Sequence, residues 1–327
     1  MEQSKPDQSV RVAFLGPEGT YTHQAALQEF GSQPQAHFVS TNSIPQCFQQ
    51  LENDHTIDYS VVPLENSTNG QVVFTYDLLR DRMMAGLNDS ADNNRVIPTI
   101  EVVGEQYVSI THCLISPNDI KLDALPIYKK IRIHSHPQVW GQVSGYLEQL
   151  KKKCPNTFVE RIDTASTSEA VSKAQSSPKE DSVLNLAIAS ETAAKLNKAF
   201  IIDREINDIL GNTTRFLIFK RRSHTDTTQP ANSKRVALMT FAVKQDDPGA
   251  LVEVLTVLKN HSVNMCSINS RPLNSALLGR KWQYLFFIEY YKTKPKTNEE
   301  AFYSDMSNSC SSWCLWGTFA RNERYYN

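Results

Sequence analysis

Short apolar runs alternate with helical ones through the first two thirds of this chain. That alternation calls for βαβ units around a mainly parallel sheet, an α/β fold. A buried strand at 10–15 runs into the turn Gly16-Pro17-Glu18-Gly19-Thr20 and then a helix at 21–30. A helix at 44–53 is introduced by Ser43 with Gln46 three residues on, a capping-box pattern. A strand at 59–63 follows. Strands are expected again at 107–115, 130–134 and 184–189, with a helix at 138–152 and another starting over 191–196. Residues 80–95 turn polar, rich in Asp and Asn, and read as a surface loop or insertion.

The pattern breaks at 222–233, whose composition is that of a linker. It restarts as a small α+β unit. A strand is expected at 236–243, a helix opened by Asp247-Pro248-Gly249 and running to 260, and strands at 263–270 and 282–291. Asp at an N-cap with Pro at the first helical position is sound helix-start chemistry. The 327 residues suffice for two domains. The expected division is a domain at 10–222, a linker at 223–234 and a smaller domain at 235–327.

Net charge is -1 and no extended basic patch is visible, so nucleic acid is not an expected partner. The short runs 151–153 and 220–222 read as solvated faces or loop ends. No apolar run approaches the roughly 20 residues of a membrane span, and residues 1–9 carry no signal-peptide core. A soluble cytoplasmic protein without membrane partners is expected. The six cysteines are scattered with no CxxC pair, and free thiols are the expected state.

Several segments carry chemistry. Thr214-Arg215-Phe216, reached through Asn212, sets a hydroxyl, a permanent cation and an aromatic ring just before an apolar strand at 216–219. The trio suits a small anion in a cleft; a plain surface strand end is the other reading. In the turn 16–20, glycines let the backbone approach a ligand, and the helix N-terminus after it favours an anion. It lacks the Walker lysine and the dinucleotide spacing, which argues against nucleotides. Glu65-Asn66-Ser67-Thr68-Asn69-Gly70 follows a strand in the same topological sense, and in open α/β sheets ligands collect outside the carboxyl ends of strands. Glu65 has three readings: general acid, positioning group or helix-terminus carboxylate.

His136-Pro137-Gln138 opens a helix, with Gln142 one turn on; His136 either shapes the cleft or takes part directly. Ser166-Thr167-Ser168-Glu169 fits a capping box, and the helix N-terminus it creates is also an anion site. The inventory is hydroxyls, amides, one Arg and one Glu. It offers no metal cluster, no Ser/His/Asp triad and no redox-cofactor site, so anion binding and hydrogen-bond donation are its natural chemistry.

Taken together, Val12 to Thr22, Val62-Pro-Leu-Glu-Asn-Ser67 with Gly70, His136-Pro-Gln138, Ser166-Thr167 and Asn212-Thr-Thr-Arg-Phe216 closely resemble prephenate dehydratase in order and spacing. The downstream unit, with Gly249-Ala250-Leu251 and Ser270-Arg271-Pro272, resembles the ACT regulatory domain that follows the catalytic domain in that family. The resemblance implies a two-lobed, periplasmic-binding-protein-like catalytic domain with substrate in the interlobe cleft. It implies a lyase that converts prephenate to phenylpyruvate in L-phenylalanine biosynthesis, with no cofactor or metal. Thr214 is then the donor at the departing hydroxyl, and Arg215 holds a carboxylate or braces the cleft wall. Thr20, Glu65, Asn66, Ser67, Gly70, His136, Gln138, Ser166, Thr167 and Asn212 would line the pocket. Gly249, Ala250, Leu251, Asn269, Ser270, Arg271 and Pro272 would bind L-phenylalanine as effector, and pairing of ACT units would make a homo-oligomer, dimer or tetramer.

The chain departs from the family's pattern in three places. The usual Glu-Ser-Arg-Pro reads Asn269-Ser-Arg-Pro272, which removes a carboxylate near the expected effector site. The polar stretch 80–95 exceeds the compact family pattern. Leu315-Trp-Gly317-Thr-Phe319 matches the family's Leu-Gly-Ser-Tyr-Pro only loosely. No segment for a fused chorismate mutase and no transit peptide are expected. Arogenate as the preferred substrate, and a non-catalytic sensor of an amino or keto acid, are the competing readings.

Overall fold

The side chains of one strand explain how the chain folds around its functional turns. Residues 183–189, Val-Leu-Asn-Leu-Ala-Ile-Ala, alternate large and small along a buried strand. Leu184, Leu186 and Ile188 join one core cluster with Leu147 and Leu150. Ala187 and Ala189 point the other way, into a cluster with Ala170, Val171, Ala193 and Ala194. Alanine on that face lets two helices sit close to the sheet, which brings their N-terminal serines to the turn described below.

The computed structural model describes residues 9–89, 94–178, 180–223, 234–244, 247–273, 283–292 and 298–325. In chain order the elements begin β1 (Val10–Leu15), α1 (Tyr21–Phe30), β2 (Ala36–Thr41), α2 (Ile44–Asn53), β3 (Tyr59–Asn66), β4 (Gly70–Gln71), α3 (Val73–Asp89), β5 (Arg95–Val96) and β6 (Ile100–Ser109). Next come β7 (Cys113–Ser116), β8 (Lys130–Ser135), α4 (Ser144–Lys153), β9 (Phe158–Asp163), α5 (Thr167–Ser176), β10 (Val183–Ala189), α6 (Glu191–Leu196), β11 (Phe200–Asp203) and β12 (Thr213–Arg221). The closing elements are β13 (Arg235–Val243), α7 (Ala250–Asn260), β14 (Met265–Pro272), β15 (Tyr284–Lys292), α8 (Glu299–Ser309) and β16 (Cys310–Ala320).

Three sheets result, with orders β2-β1-β3-β12-β6 (β4 pairing with β3), β11-β7-β10-β8-β9 and β14-β15-β13-β16-β5. β1 and β2 are parallel, Val10 opposite Ala36. β8 runs parallel to both β10 and β9, while β7 is antiparallel to β10. The third sheet is antiparallel along β14-β15-β13-β16. Its β13-α7-β14-β15-α8-β16 sequence is the ferredoxin-like βαββαβ order. Ala237, Met239 and Phe241 on one face of β13 pack with Val254, Phe302 and Met306. By contact the chain falls into two compact units: 1–47, 65–70 and 108–215 in the first, 48–64, 71–107 and 216–327 in the second. No described helix is long and apolar enough to cross a membrane. None of the six cysteines, all among the described residues, takes part in a disulfide.

The structure corrects several expectations. Residues 80–89 are not loop but the second half of α3. Tyr76, Leu79, Arg80 and Met83 recur on one buried face, and Arg80 is neutralised by Asp77 at 2.8 Å, so a polar composition concealed a helical period. Residues 90–93 lie outside the described residues. The single strand at 107–115 is two, β6 and β7, and the helix at 138–152 is a 3-10 turn, Pro137–Gln142, followed by α4. The second βα turn is preceded by β2, a strand whose half-exposed pattern lacks strict alternation.

β3 continues through Glu65 to Asn66, and β12 starts at Thr213, so Thr214-Arg215-Phe216 lies inside a strand rather than before one. The helix of the downstream unit begins at Ala250 with Gly249 as its cap, not at Asp247-Pro248. Residues 220–222 are not a solvated face. Arg221 donates to Leu51 O at 2.7 Å and Arg222 to Leu315 O at 2.8 Å. Residues 224–233 of the expected linker, and Trp282 at the start of an expected strand, lie outside the described residues.

Gly317 sits so close to its neighbour that a Cβ there would lie 2.2 Å from the Val102 carbonyl oxygen. Gly317→Ala is therefore expected to cost about 1–3 kcal/mol through backbone displacement. Urea unfolding measures this; an unchanged midpoint would contradict the close approach.

Candidate active site

In the first unit, β1 ends at Leu15 and the turn 16–20 leads into α1. Thr20 caps that helix: its Oγ1 accepts from His23 N at 3.3 Å and donates to Leu15 O at 3.0 Å. Gly19 has φ +85°, and a Cβ on it would lie 2.5 Å from Ser168 Oγ, so glycine is required twice over. Gly19 N donates to Nδ1 of His23, 3.0 Å away, whose ring stacks on Phe14. Burial lowers the His23 pKa, against a smaller upward pull from Glu18, and the neutral ring accepts that N–H. Ser168, in the first turn of α5, donates to Glu18 O, and Ser190, the cap of α6, donates to Gly19 O at 3.0 Å. The alanine face of β10 thus delivers two hydroxyls that fasten the turn.

A second network centres on Asn66 at the end of β3. Its amide Nδ2 donates to Asn212 Oδ1 at 2.7 Å and to Thr214 Oγ1 at 2.9 Å. Its Oδ1 accepts from Thr68 N at 3.0 Å and Asn69 N at 2.9 Å, which shapes the tight turn before Gly70. Beside it, Ser67 N donates to Thr213 O at 2.8 Å while Ser67 Oγ accepts from Thr213 N at 2.9 Å. Arg215 Nη1 meets Glu65 Oε1 at 2.9 Å; the Arg215 side chain is 4% exposed and that of Glu65 37%. A buried guanidinium held by a half-open carboxylate braces the strand pair and leaves one carboxylate edge toward solvent.

The consequence for Thr214 is specific. Its oxygen accepts from Asn66, and among the described residues no acceptor takes its hydroxyl hydrogen. A half-buried hydroxyl fixed by one accepted bond is poised to donate.

The segment leading into Thr214 is laced from both sides. Ile110 N donates to Asn212 O at 2.7 Å, His112 N to Asn207 Oδ1 at 2.7 Å, and Ile206 N to His112 O at 3.0 Å. On the other side Asp208 N donates to Gln142 O at 2.8 Å, and the Asp208 carboxylate accepts from Ser144 Oγ, Gly145 N and Tyr146 N at the start of α4. Desolvation raises the Asp208 pKa, but these donors outweigh it and hold the carboxyl below its ordinary value.

Of the expected pocket residues, Glu65, Asn66, Ser67, Asn212, Thr214 and Arg215 form one connected cluster. Thr20 belongs to the turn tied to α5 and α6, with its hydroxyl engaged in capping. Gly70 has φ +76° with open space beside it. His136 Nδ1 caps its own 3-10 turn by accepting from Gln138 N at 3.3 Å, and among the described residues no hydrogen bond joins either side chain to the cluster. Ser166 caps α5 by accepting from Glu169 N at 3.0 Å, while Glu169 reaches back to Ala165 N at 2.9 Å. Thr167 lies half-buried in that first turn, and its neighbour Ser168 is the residue that reaches the glycine turn. Ser168, Ser190 and the pair Tyr21 and His112, whose Oη and Nδ1 lie 2.9 Å apart, escaped the sequence reading. Only Ser190 carried a signal, a serine directly between a buried strand and an acidic helix start.

In the second unit, Gly249, Ala250 and Leu251 line an open cavity of about 480 Å³ with Lys244 and Asp247. Asn269 donates to Tyr76 Oη at 2.9 Å and accepts from Gln71 Nε2. Arg271 grips Asp77 through Nε at 2.7 Å and Nη2 at 3.2 Å, and Arg80 donates to Pro272 O at 2.9 Å. Ser270 pairs with Phe286 across β14 and β15. The expected effector residues of β14 are therefore bonded to Gln71 and α3.

The prephenate dehydratase family model matches residues 12–224, and the chain belongs to that family. A relative from Saccharomyces cerevisiae, described as a probable prephenate dehydratase, is 57% identical over 330 residues, covering 98% of each chain. Among solved structures, prephenate dehydratase of Arthrobacter aurescens in complex with L-Phe superposes with a TM-score of 0.71 at 22% identity, over 95% of this chain and 90% of that one. GqqA, described as a quorum quenching acylase, superposes at 0.74 with 23% identity, over 97% and 99%. At these identities the structural likenesses show the fold, and one fold hosts more than one activity.

Asn66→Asp removes the donor contacts of Nδ2 to Asn212, Thr213 O and Thr214 and sets a carboxylate oxygen against Asn212 Oδ1. A loss of about 1–3 kcal/mol in unfolding free energy is expected. An unaltered urea midpoint would show that Asn66 does not organise this cluster.

Proposed function

We propose that this chain is a prephenate dehydratase, converting prephenate to phenylpyruvate, CO2 and water. The observation that carries the reading is Thr214, its oxygen engaged by Asn66 and its hydrogen without an acceptor among the described residues. As the ring carboxylate leaves as CO2, its bonding pair enters the ring and the opposite carbon–oxygen bond breaks. Aromatisation drives the step, and hydroxide is the poor leaving group that needs help. A donor at that oxygen lowers the barrier. A threonine hydroxyl is a weak acid, so it stabilises the developing charge by a hydrogen bond, and the departing oxygen takes its proton from solvent. Glu65, Asn66, Ser67, Asn212 and the turn 16–20 would surround the substrate, with Arg215 bracing Glu65 rather than meeting the dianion directly.

In this reading residues 10–222 form a two-lobed, periplasmic-binding-protein-like catalytic domain, 223–234 a linker and 235–327 an ACT regulatory domain. The βαββαβ order of the last four strands supports the ACT assignment. L-Phenylalanine is the proposed effector, and a dimer or tetramer the proposed assembly. The cavity beside Gly249 and the contacts from Asn269 and Arg271 to Gln71 and α3 supply a route by which an effector could act on the rest of the chain.

Purified protein incubated with prephenate should release phenylpyruvate, and faster than it acts on arogenate; folded protein without product would overturn the reading. Thr214→Val should lower kcat by about 10²–10⁴-fold, the usual worth of a positioned donor, and Thr214→Ser should keep most activity. Valine at wild-type rate would remove Thr214 from this role. Millimolar L-phenylalanine should reduce turnover; unchanged rates across that range would remove the effector.

A further inference from the structure

The Glu18–Gly19 peptide is held at both ends, and one of its holders is an ionisable ring. Its C=O accepts from Ser168 Oγ on α5, and its N–H donates to His23 Nδ1 at 3.0 Å. Thr20 N donates to Pro17 O at 3.4 Å, and of the two residues between them only Gly19, at φ +85°, has a positive φ. Pro17-Glu18-Gly19-Thr20 is therefore a type II turn. Types I and II differ by a flip of the central peptide, and here that peptide is Glu18–Gly19. Glycine takes either sign of φ with ease, so its backbone does not hold the turn in one form. Nor does Ser168, whose hydroxyl donates to a C=O or accepts from an N–H equally well. The imidazole is the selective partner.

A backbone N–H only donates, so Nδ1 of His23 is the bare nitrogen and Nε2 carries the ring hydrogen. The ring is fixed in place, stacked on Phe14 of β1 at 4.6 Å and edge-on to Phe38 of β2 at 5.6 Å. Among the described residues the charge acting on it is that of Glu18, and burial keeps the ring neutral against that pull. A proton on Nδ1 would face the Gly19 N–H hydrogen to hydrogen. The flipped peptide would relieve this by turning its C=O to the ring, and Glu18 O would leave Ser168. We infer that His23 is a positioning residue: by accepting from Gly19 N it selects the peptide orientation that fastens the turn 16–20 to α5 for substrate binding. The inference rests on the proposed reaction, because that reading sets this turn, with Thr20 at its end, beside the substrate. Such a residue acts through the turn and governs binding more than the chemical step.

The test is a pH profile of kcat/KM on prephenate in the full-length protein, corrected for the uncatalysed rate and confined to conditions where circular dichroism shows it folded. A ring whose pKa is lowered by burial stays neutral near pH 8 and takes up its proton only below pH 6.5. Wild-type kcat/KM should therefore fall on that acid side. His23→Phe keeps a ring between Phe14 and Phe38 but offers no acceptor, and should lower kcat/KM near pH 8 by about 10–100-fold, mostly through KM. In His23→Asn, Oδ1 can stand where Nδ1 stood and does not titrate. That variant should recover most of the loss seen in His23→Phe and show no acid limb. A flat wild-type profile, an acid limb retained in His23→Asn, or wild-type kcat/KM in His23→Phe would overturn the inference. A wild-type protein inactive on prephenate at every pH would instead overturn the proposed function, so the two failures are told apart.

Discussion

One carboxamide holds the candidate site together. Asn66 has two hydrogens and one oxygen to offer, and all are in use: the hydrogens to Asn212 and Thr214, the oxygen to two successive backbone N–H groups. It thereby fixes the turn after β3 and the entrance of β12 in one stroke, though the two lie far apart in sequence. It also decides the direction of the Thr214 hydroxyl. An oxygen that already accepts from an amide turns its own hydrogen elsewhere, and that polarity is what the proposed chemistry needs.

Around this hub the chain positions its turns by capping rather than by ion pairs. Thr20 caps α1, Ser166 caps α5, Ser190 caps α6 and Asp208 satisfies the first turn of α4. Ser190 does double service, reaching Gly19 O as well, and Ser168 reaches Glu18 O. The large-and-small alternation of β10 makes this possible, since alanine on one face admits α5 and α6 at close range. The cluster includes the Glu65–Arg215 ion pair, whose cation is buried. Buried pairs of this kind contribute specificity of geometry more than net stability.

Much of the architecture was readable from the sequence because local chemistry and burial agree there. Helices α1 and α2 have the bounds expected from turn residues and periodicity, a helix starts at 191 as expected, and the Ser166–Glu169 cap forms as its spacing indicates. The misreadings have a common physical origin. β2 is half-exposed and does not alternate cleanly. The buried face of α3 includes Arg80, whose charge is neutralised by Asp77, a partnership no composition reveals. For the site, the cluster around Asn66 was anticipated as a set of residues but not as a network, because its bonds join strand ends more than 140 positions apart. Tyr21 and His112 left no local trace at all; only the fold pairs them.

The central claim is that Thr214, oriented by Asn66, faces the oxygen that departs. A crystal structure with an unreactive prephenate analogue that keeps the ring hydroxyl tests it most directly. The account predicts Thr214 Oγ1 within about 3.2 Å of that hydroxyl oxygen, the reach of a hydrogen bond, with Asn66 Nδ2 still bonded to Oγ1. A ring hydroxyl met by another side chain, with Thr214 turned away, would contradict it.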